Sequence, residues 1–177
     1  LETHKPAWPL PKIFRMTKGG KLIEGIFQGE TINTPSMLAV EDYIDALEWA
    51  KSVGGLDALV AKADANARVL LDWVAGTPWI ANLAQEPATA SNTSVCLVIV
   101  DPDVVSKGPD AVAQVAKGIT ASLEKEGVAL DIGAYRDAPP GLRVWCGATV
   151  EQSDLEALTP WLDWAFAQEK AKLAKAA

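Results

Sequence analysis

Residues 94–102 read Ser94-Val95-Cys96-Leu97-Val98-Ile99-Val100-Asp101-Pro102. The apolar run has strand length, is rich in β-branched side chains and is closed by Asp-Pro, so it reads as a buried strand. Downstream, Val112, Val115, Ala116, Ile119 and Leu123 recur at three- and four-residue steps. That spacing predicts a helix over 110–126, with Gly127 at its left-handed end. Residues 128–132 suit a short strand and Leu142–Cys146 a stronger one. In the latter Leu142, Val144 and Cys146 share one face, Arg143 and Trp145 the other. A last helix passes through Leu155, Leu158, Leu162, Ala165 and Phe166, with Thr159-Pro160 as either a kink or a fresh helix start. From Glu169 the Ala/Lys-rich sequence reads as a solvated helix end. Residues 79–177 therefore read β-α-β-β-α, a small α+β sandwich with helices on one face.

Upstream the pattern is different. Leu56, Leu59, Val60, Ala63, Ala67, Leu70, Leu71 and Val74 mark a long helix, stopped by Gly76 and Pro78. Before it, Ser36 is an N-cap for a helix whose stripe is Val40, Tyr43, Ile44, Leu47 and Ala50, ended by Gly54-Gly55. Two long helices in series across a Gly-Gly break suggest a connector between two bodies. Residues 79–93 read as loop-rich, 12–16 as a short strand, and 17–35 as a long loop of the kind that is usually functional or disordered. The lead, with Pro6, Pro9 and Pro11 around Trp8, reads as an extended surface segment.

The chain has 177 residues, a net charge of −7, 49% apolar and 22% charged residues. That ratio is globular. The acidic balance argues against nucleic-acid and anionic-membrane partners, which demand a basic stripe. No apolar run approaches bilayer-spanning length. One His and two isolated Cys argue against a metal centre or a disulfide framework. Cys96 and Cys146 read as inert buried thiols, and Trp49, Trp73, Trp161 and Trp164 as core. His4 reads as a surface residue.

Three groups could carry chemistry. Lys18-Gly19-Gly20-Lys21 fails the Walker pattern, since Arg15 and Leu22 stand where Gly and Ser/Thr are needed; it reads as a basic surface turn. Thr31-Ile32-Asn33-Thr34-Pro35-Ser36 precedes a helix start and is either an anion cradle or ordinary capping chemistry. Tyr135-Arg136 and Arg143 form the third group. A guanidinium in the middle of an apolar strand demands an anion. That anion is either an internal carboxylate, with Asp131 and Asp137 available, or a bound carboxylate or phosphate.

Two blocks carry a resemblance. Residues 9–40 contain Gly29-Glu-Thr-Ile-Asn-Thr-Pro-Ser-Met-Leu38, and residues 136–150 read Arg136-Asp-Ala-Pro-Pro-Gly-Leu-Arg-Val-Trp-Cys-Gly-Ala-Thr-Val150. Together they resemble the phosphoserine aminotransferase family, of the type found in alphaproteobacteria. The resemblance implies an α/β fold: the C-terminal part of a fold type I pyridoxal-phosphate transferase. Residues 1–53 would be the tail of the large cofactor domain, 54–75 the connector helix, and 76–177 the small α+β domain. It implies pyridoxal 5'-phosphate as cofactor and a cytoplasmic homodimer with its active site at the interface. The reaction would carry the amino group of glutamate to 3-phosphohydroxypyruvate, giving 3-phosphoserine and 2-oxoglutarate, in serine and vitamin B6 biosynthesis. By the resemblance Asn33 and Thr34 reach the cofactor phosphate of the neighbouring subunit. Arg143 grips the substrate α-carboxylate, and Arg136 lies near the substrate phosphate or distal carboxylate. Tyr135 stands where many members have His. The family's Schiff-base lysine falls in a missing N-terminal half, so no catalytic residue is expected here and the fragment alone is expected to be inactive. The alternative is a non-catalytic α+β module binding a small carboxylate or phosphate.

Overall fold

The computed structural model describes residues 3–4, 7–9 and 11–175. Pro6 of the proline-rich lead lies outside the described residues. The chain divides into two compact units, Leu1–Ser52 and Val53–Ala177.

The first unit corrects two expectations. Residues 12–16 are not a strand: Lys12–Phe14 is a single 3-10 turn, closed by the Phe14 N–H on the Pro11 carbonyl at 3.1 Å. The long loop is not structureless. Strands β1 (Thr17–Lys18) and β2 (Lys21–Leu22) pair antiparallel around Gly19 and Gly20, whose φ angles are +62° and +74°. Two successive positive φ values are what a tight type I′ hairpin demands, and glycine supplies them without steric cost. A second 3-10 turn covers Glu24–Gln28, and helix α1 covers Met37–Ser52. Ser36 caps α1, its Oγ accepting from the Ala39 N–H at 3.4 Å. Of the apolar stripe along α1, Val40, Tyr43, Ile44 and Leu47 are exposed, from Val40 at 37% to Tyr43 at 66%, and Ala50 is half-buried. No described residue of this unit is buried; one helix and a two-residue hairpin offer too little apolar surface to cover each other.

The second unit has a true core. Helix α2 spans Gly55–Gly76 and β3 Ile80–Asn82; β4 spans Ser94–Ile99, α3 Pro102–Val105, α4 Pro109–Lys125, β5 Gly141–Trp145 and α5 Gln152–Lys175. The order over 79–177 is thus β-β-α-α-β-α rather than β-α-β-β-α. The three strands form one antiparallel sheet, β3-β4-β5. β4 alternates half-buried and buried, with Val95, Leu97 and Ile99 against the helices. Because α2, α4 and α5 all contribute to that one cluster, only one face of β4 is fully covered, and not both as a continuous apolar run suggests. The expected strand at 128–132 is absent. Its amides are used elsewhere: Val128 donates to Leu123 O and Gly127 to Glu124 O, a Schellman ending for α4 made possible by Gly127 at φ +69°. What stands beside β5 there is the Ile132 carbonyl, which accepts from the Arg143 N–H, and just beyond it a bridge from Gly133 to Leu142.

Polar ties hold the layers. Asp101 caps α3, Oδ1 accepting from the N–H groups of Asp103 and Val104. Asn66 of α2 is fully buried and donates through Nδ2 to the carbonyls of Gly147 and Val150, fixing the turn that follows β5. α5 runs unbroken through Pro160. Of the tryptophans expected in the core, Trp49, Trp161 and Trp164 are exposed and Trp73 is half-buried; the buried one is Trp79, stacked on Phe166 at 4.2 Å.

Candidate substrate-binding site

Arg143 sits at the centre of β5. Strand alternation sends Leu142 and Val144 into the core and turns Arg143 to the opposite face, across from Cys96 in the register of β4. The free edge of β5 is bordered by residues 132–133, through the Arg143 N–H on the Ile132 carbonyl at 2.8 Å and the Gly133–Leu142 bridge. The adjacent Asp131 adopts a left-handed backbone, φ +53°. Its carboxylate Oδ2 lies 3.2 Å from Arg143 Nη2. The guanidinium carbon also stands 5.1 Å from the centre of the Tyr135 ring, within cation–π range. Arg143 Nε is buried and has no hydrogen-bond partner.

Tyr135 and Arg136 are exposed in a turn closed by the Ala138 N–H on the Tyr135 carbonyl at 3.1 Å. That turn returns them to Arg143. A surface cavity of about 460 Å³ is lined by Asp131, Tyr135, Arg136, Asp137 and Arg143. The fold thus brings the three predicted substrate-binding residues together. Two guanidinium groups in one cavity can hold two anionic groups of one small molecule. An adjoining cavity of about 290 Å³ shares Tyr135 and Arg136 and adds Lys117 and Thr120 of α4, which sequence reasoning missed. Periodicity puts both outside the stripe Val112–Leu123, and only the packing of α4 beside β5 brings them next to Tyr135 and Arg136.

Asn33 and Thr34 belong to the first unit, where they are exposed just ahead of α1. An amide, a hydroxyl and the start of a sixteen-residue helix form a donor set suited to a phosphate group. Among the described residues no group of three His, Cys, Asp or Glu could hold a metal ion, and His4 is exposed.

No protein-family model matches the chain. Among curated relatives, the phosphoserine aminotransferase of Methanosarcina barkeri is 52% identical over 166 residues, 94% of this chain and 42% of that protein. This chain is similar to the phosphoserine aminotransferases. The Methanosarcina mazei enzyme is 51% identical over the same shares. Both relatives bear on the family and not on the alphaproteobacterial subtype. Among solved structures, PLP-bound phosphoserine aminotransferase from Trichomonas vaginalis superposes with a TM-score of 0.64 at 18% identity, covering 78% of this chain and 36% of that one. The fold is accordingly that of part of a fold type I pyridoxal-phosphate enzyme. The chain spans about 42% of the length of the curated relatives it matches. No described helix is long and apolar enough to cross a membrane.

Proposed function

We propose that this chain is part of a pyridoxal-phosphate-dependent phosphoserine aminotransferase, acting with glutamate and 3-phosphohydroxypyruvate in serine and vitamin B6 biosynthesis. The observation that carries this reading is the convergence of Tyr135, Arg136 and Arg143 on one cavity, in a chain half identical to enzymes of that name. When bound, the cofactor supplies an electron-withdrawing ring that carries the amino group in transit. The residues present contribute binding and orientation. Arg143 takes the α-carboxylate through its planar fork, and Arg136 takes the phosphate or the distal carboxylate, so that substrate is held at two points. Tyr135 stands over the Arg143 guanidinium at cation–π distance and helps hold it in place. Asn33 and Thr34 donate to the cofactor phosphate of a neighbouring subunit. No lysine here is assigned a covalent role.

The remaining assignments belong to the same proposal. Residues 1–53 form the tail of the large domain, 54–75 the connector and 76–177 the small domain, in a cytoplasmic homodimer. The exposed apolar face of α1 supports this, because a large cofactor domain would cover it. The rival reading, a non-catalytic module binding a small carboxylate or phosphate, is favoured by the cavity's being complete within the second unit.

Arg143→Ala in the full-length protein tests the assignment. Loss of a charged hydrogen-bonding partner is expected to lower kcat/KM for glutamate by roughly 10- to 100-fold. Unchanged kinetics would remove Arg143 from the substrate site. Absence of a pyridoxal-phosphate absorption band after reconstitution would favour the binding module.

A further inference from the structure

The contact between Arg143 and Asp131 is one-sided. Nη2 and Nε project from the same edge of a guanidinium, and a carboxylate aligned with that edge accepts from both. Asp131 reaches only Nη2, at 3.2 Å, longer than the usual distance for a charge-assisted bond of this kind. Nε is left buried and unpartnered, which is an unfavourable state for a strong donor. Asp131 itself is 91% exposed at the side chain, so leaving Arg143 returns its carboxylate to water at little cost. Its left-handed backbone, set between the end of α4 and the bridge at Gly133, keeps it beside the guanidinium.

We propose that Asp131 is a specificity-determining residue that competes with the substrate carboxylate for Arg143. This rests on the reading that Arg143 binds that carboxylate. A ligand able to engage Nη2 and Nε together displaces Asp131, because it adds a bond that Asp131 does not make. An anion that makes one contact, such as chloride, gains nothing over Asp131 and is turned away. Because Nε is covered by protein, the exchange includes a rotation of the guanidinium relative to Tyr135, which release of Asp131 permits. No bond is made or broken in the exchange, and it is a change of ion-pair partner alone.

The test is Asp131→Asn in the full-length enzyme, with Arg143→Ala alongside and thermal unfolding as a folding control. Competition predicts that KM for glutamate falls about two- to fivefold, the size of an exposed ion pair, with kcat little changed. Glutarate, titrated calorimetrically as a dicarboxylate probe, should bind tighter by a similar factor, and chloride should become an inhibitor of the variant. If KM rises, Asp131 positions Arg143 and competition is overturned. If KM, glutarate affinity and chloride sensitivity all stay put while Arg143→Ala weakens glutamate, the competition is likewise overturned but the substrate-binding reading stands. If Arg143→Ala also has no effect, both fall.

Discussion

Trp79 donates its indole N–H to Asp163 Oδ1 at 2.7 Å, while Trp73 donates to Oδ2 of the same carboxylate at 3.1 Å. One side chain of α5 thereby anchors the end of α2 and the entry to β3. Trp79 is only 5% exposed, so its N–H has little recourse to water. Asp163→Ala should cost about 1–3 kcal/mol, the usual penalty for stranding a buried donor. Asp163→Asn, which retains one acceptor, should cost less. Urea unfolding followed by tryptophan fluorescence reads both, and equal midpoints for all three proteins would show that the carboxylate contributes nothing.

Gly118 lies inside α4, where alanine would ordinarily stabilise a helix by about 1 kcal/mol. The opposite sign is expected here. A Cβ at this position would run into the carboxylate of Glu169, which is buried between the hydroxyl of Ser122 at 3.2 Å and the ammonium of Lys172 at 2.6 Å. Gly118→Ala should therefore lower the melting temperature, and a higher one would show that Glu169 moves aside freely.

Lys170 bridges Asp101 and Asp103 at 2.8 Å each, tying the C-terminal part of α5 to the cap of α3. Its hydrogen bond to Asp101 is the main reason its pKa is raised above the ordinary 10.5; that to Asp103 adds to it. The carboxyl of Asp103 is held below its ordinary 3.8, chiefly by the hydrogen bond from Lys170. The lysine's contribution is full below pH 10.5 and is lost as pH rises through its raised value. The aspartate's is full above pH 3.8 and is lost as pH falls through its lowered value. Lys170→Met should thus be destabilising across neutral pH and should flatten the stability curve at both extremes. A difference from the parent protein that does not vary with pH would contradict this.

The two thiols should separate by reactivity. Cys146 is fully buried, and burial raises its pKa above the ordinary 9.0, so less thiolate is present at any pH. Cys96 is half-buried on the Arg143 face of the sheet. Alkylation of the native protein at pH 8, followed by mass spectrometry, should label Cys96 first and Cys146 only on unfolding. Early labelling of Cys146 would show that the region around β5 opens locally.

Pro160 shows where legibility in sequence ended. Thr159-Pro160 allows a kink or a new helix start, and local chemistry alone does not choose between them. In the structure the Thr159 hydroxyl donates to the Glu156 carbonyl at 3.2 Å, the acceptor that proline cannot serve, and α5 continues. Residues 128–132 failed for a related reason. Their apolar content suits a strand, but the Schellman ending of α4 and the left-handed Asp131 use up the backbone that a ladder would need. β3 was missed because three residues carry too little pattern; what makes Ile80–Asn82 a strand is its pairing with Leu97–Ile99.

The sequence by itself determined the helices α2, α4 and α5, the strands β4 and β5, the face that Arg143 takes, and the resemblance to phosphoserine aminotransferases. These follow from periodicity and local motifs, which a linear chain displays directly. Only the tertiary structure decided that Tyr135, Arg136 and Arg143 share a cavity, that Asp131 rather than Asp137 pairs with Arg143, and that the partner leaves Nε unsatisfied. Pairing across a sheet edge depends on register and on the φ of a single residue, and neither is written in the spacing of side chains along the chain.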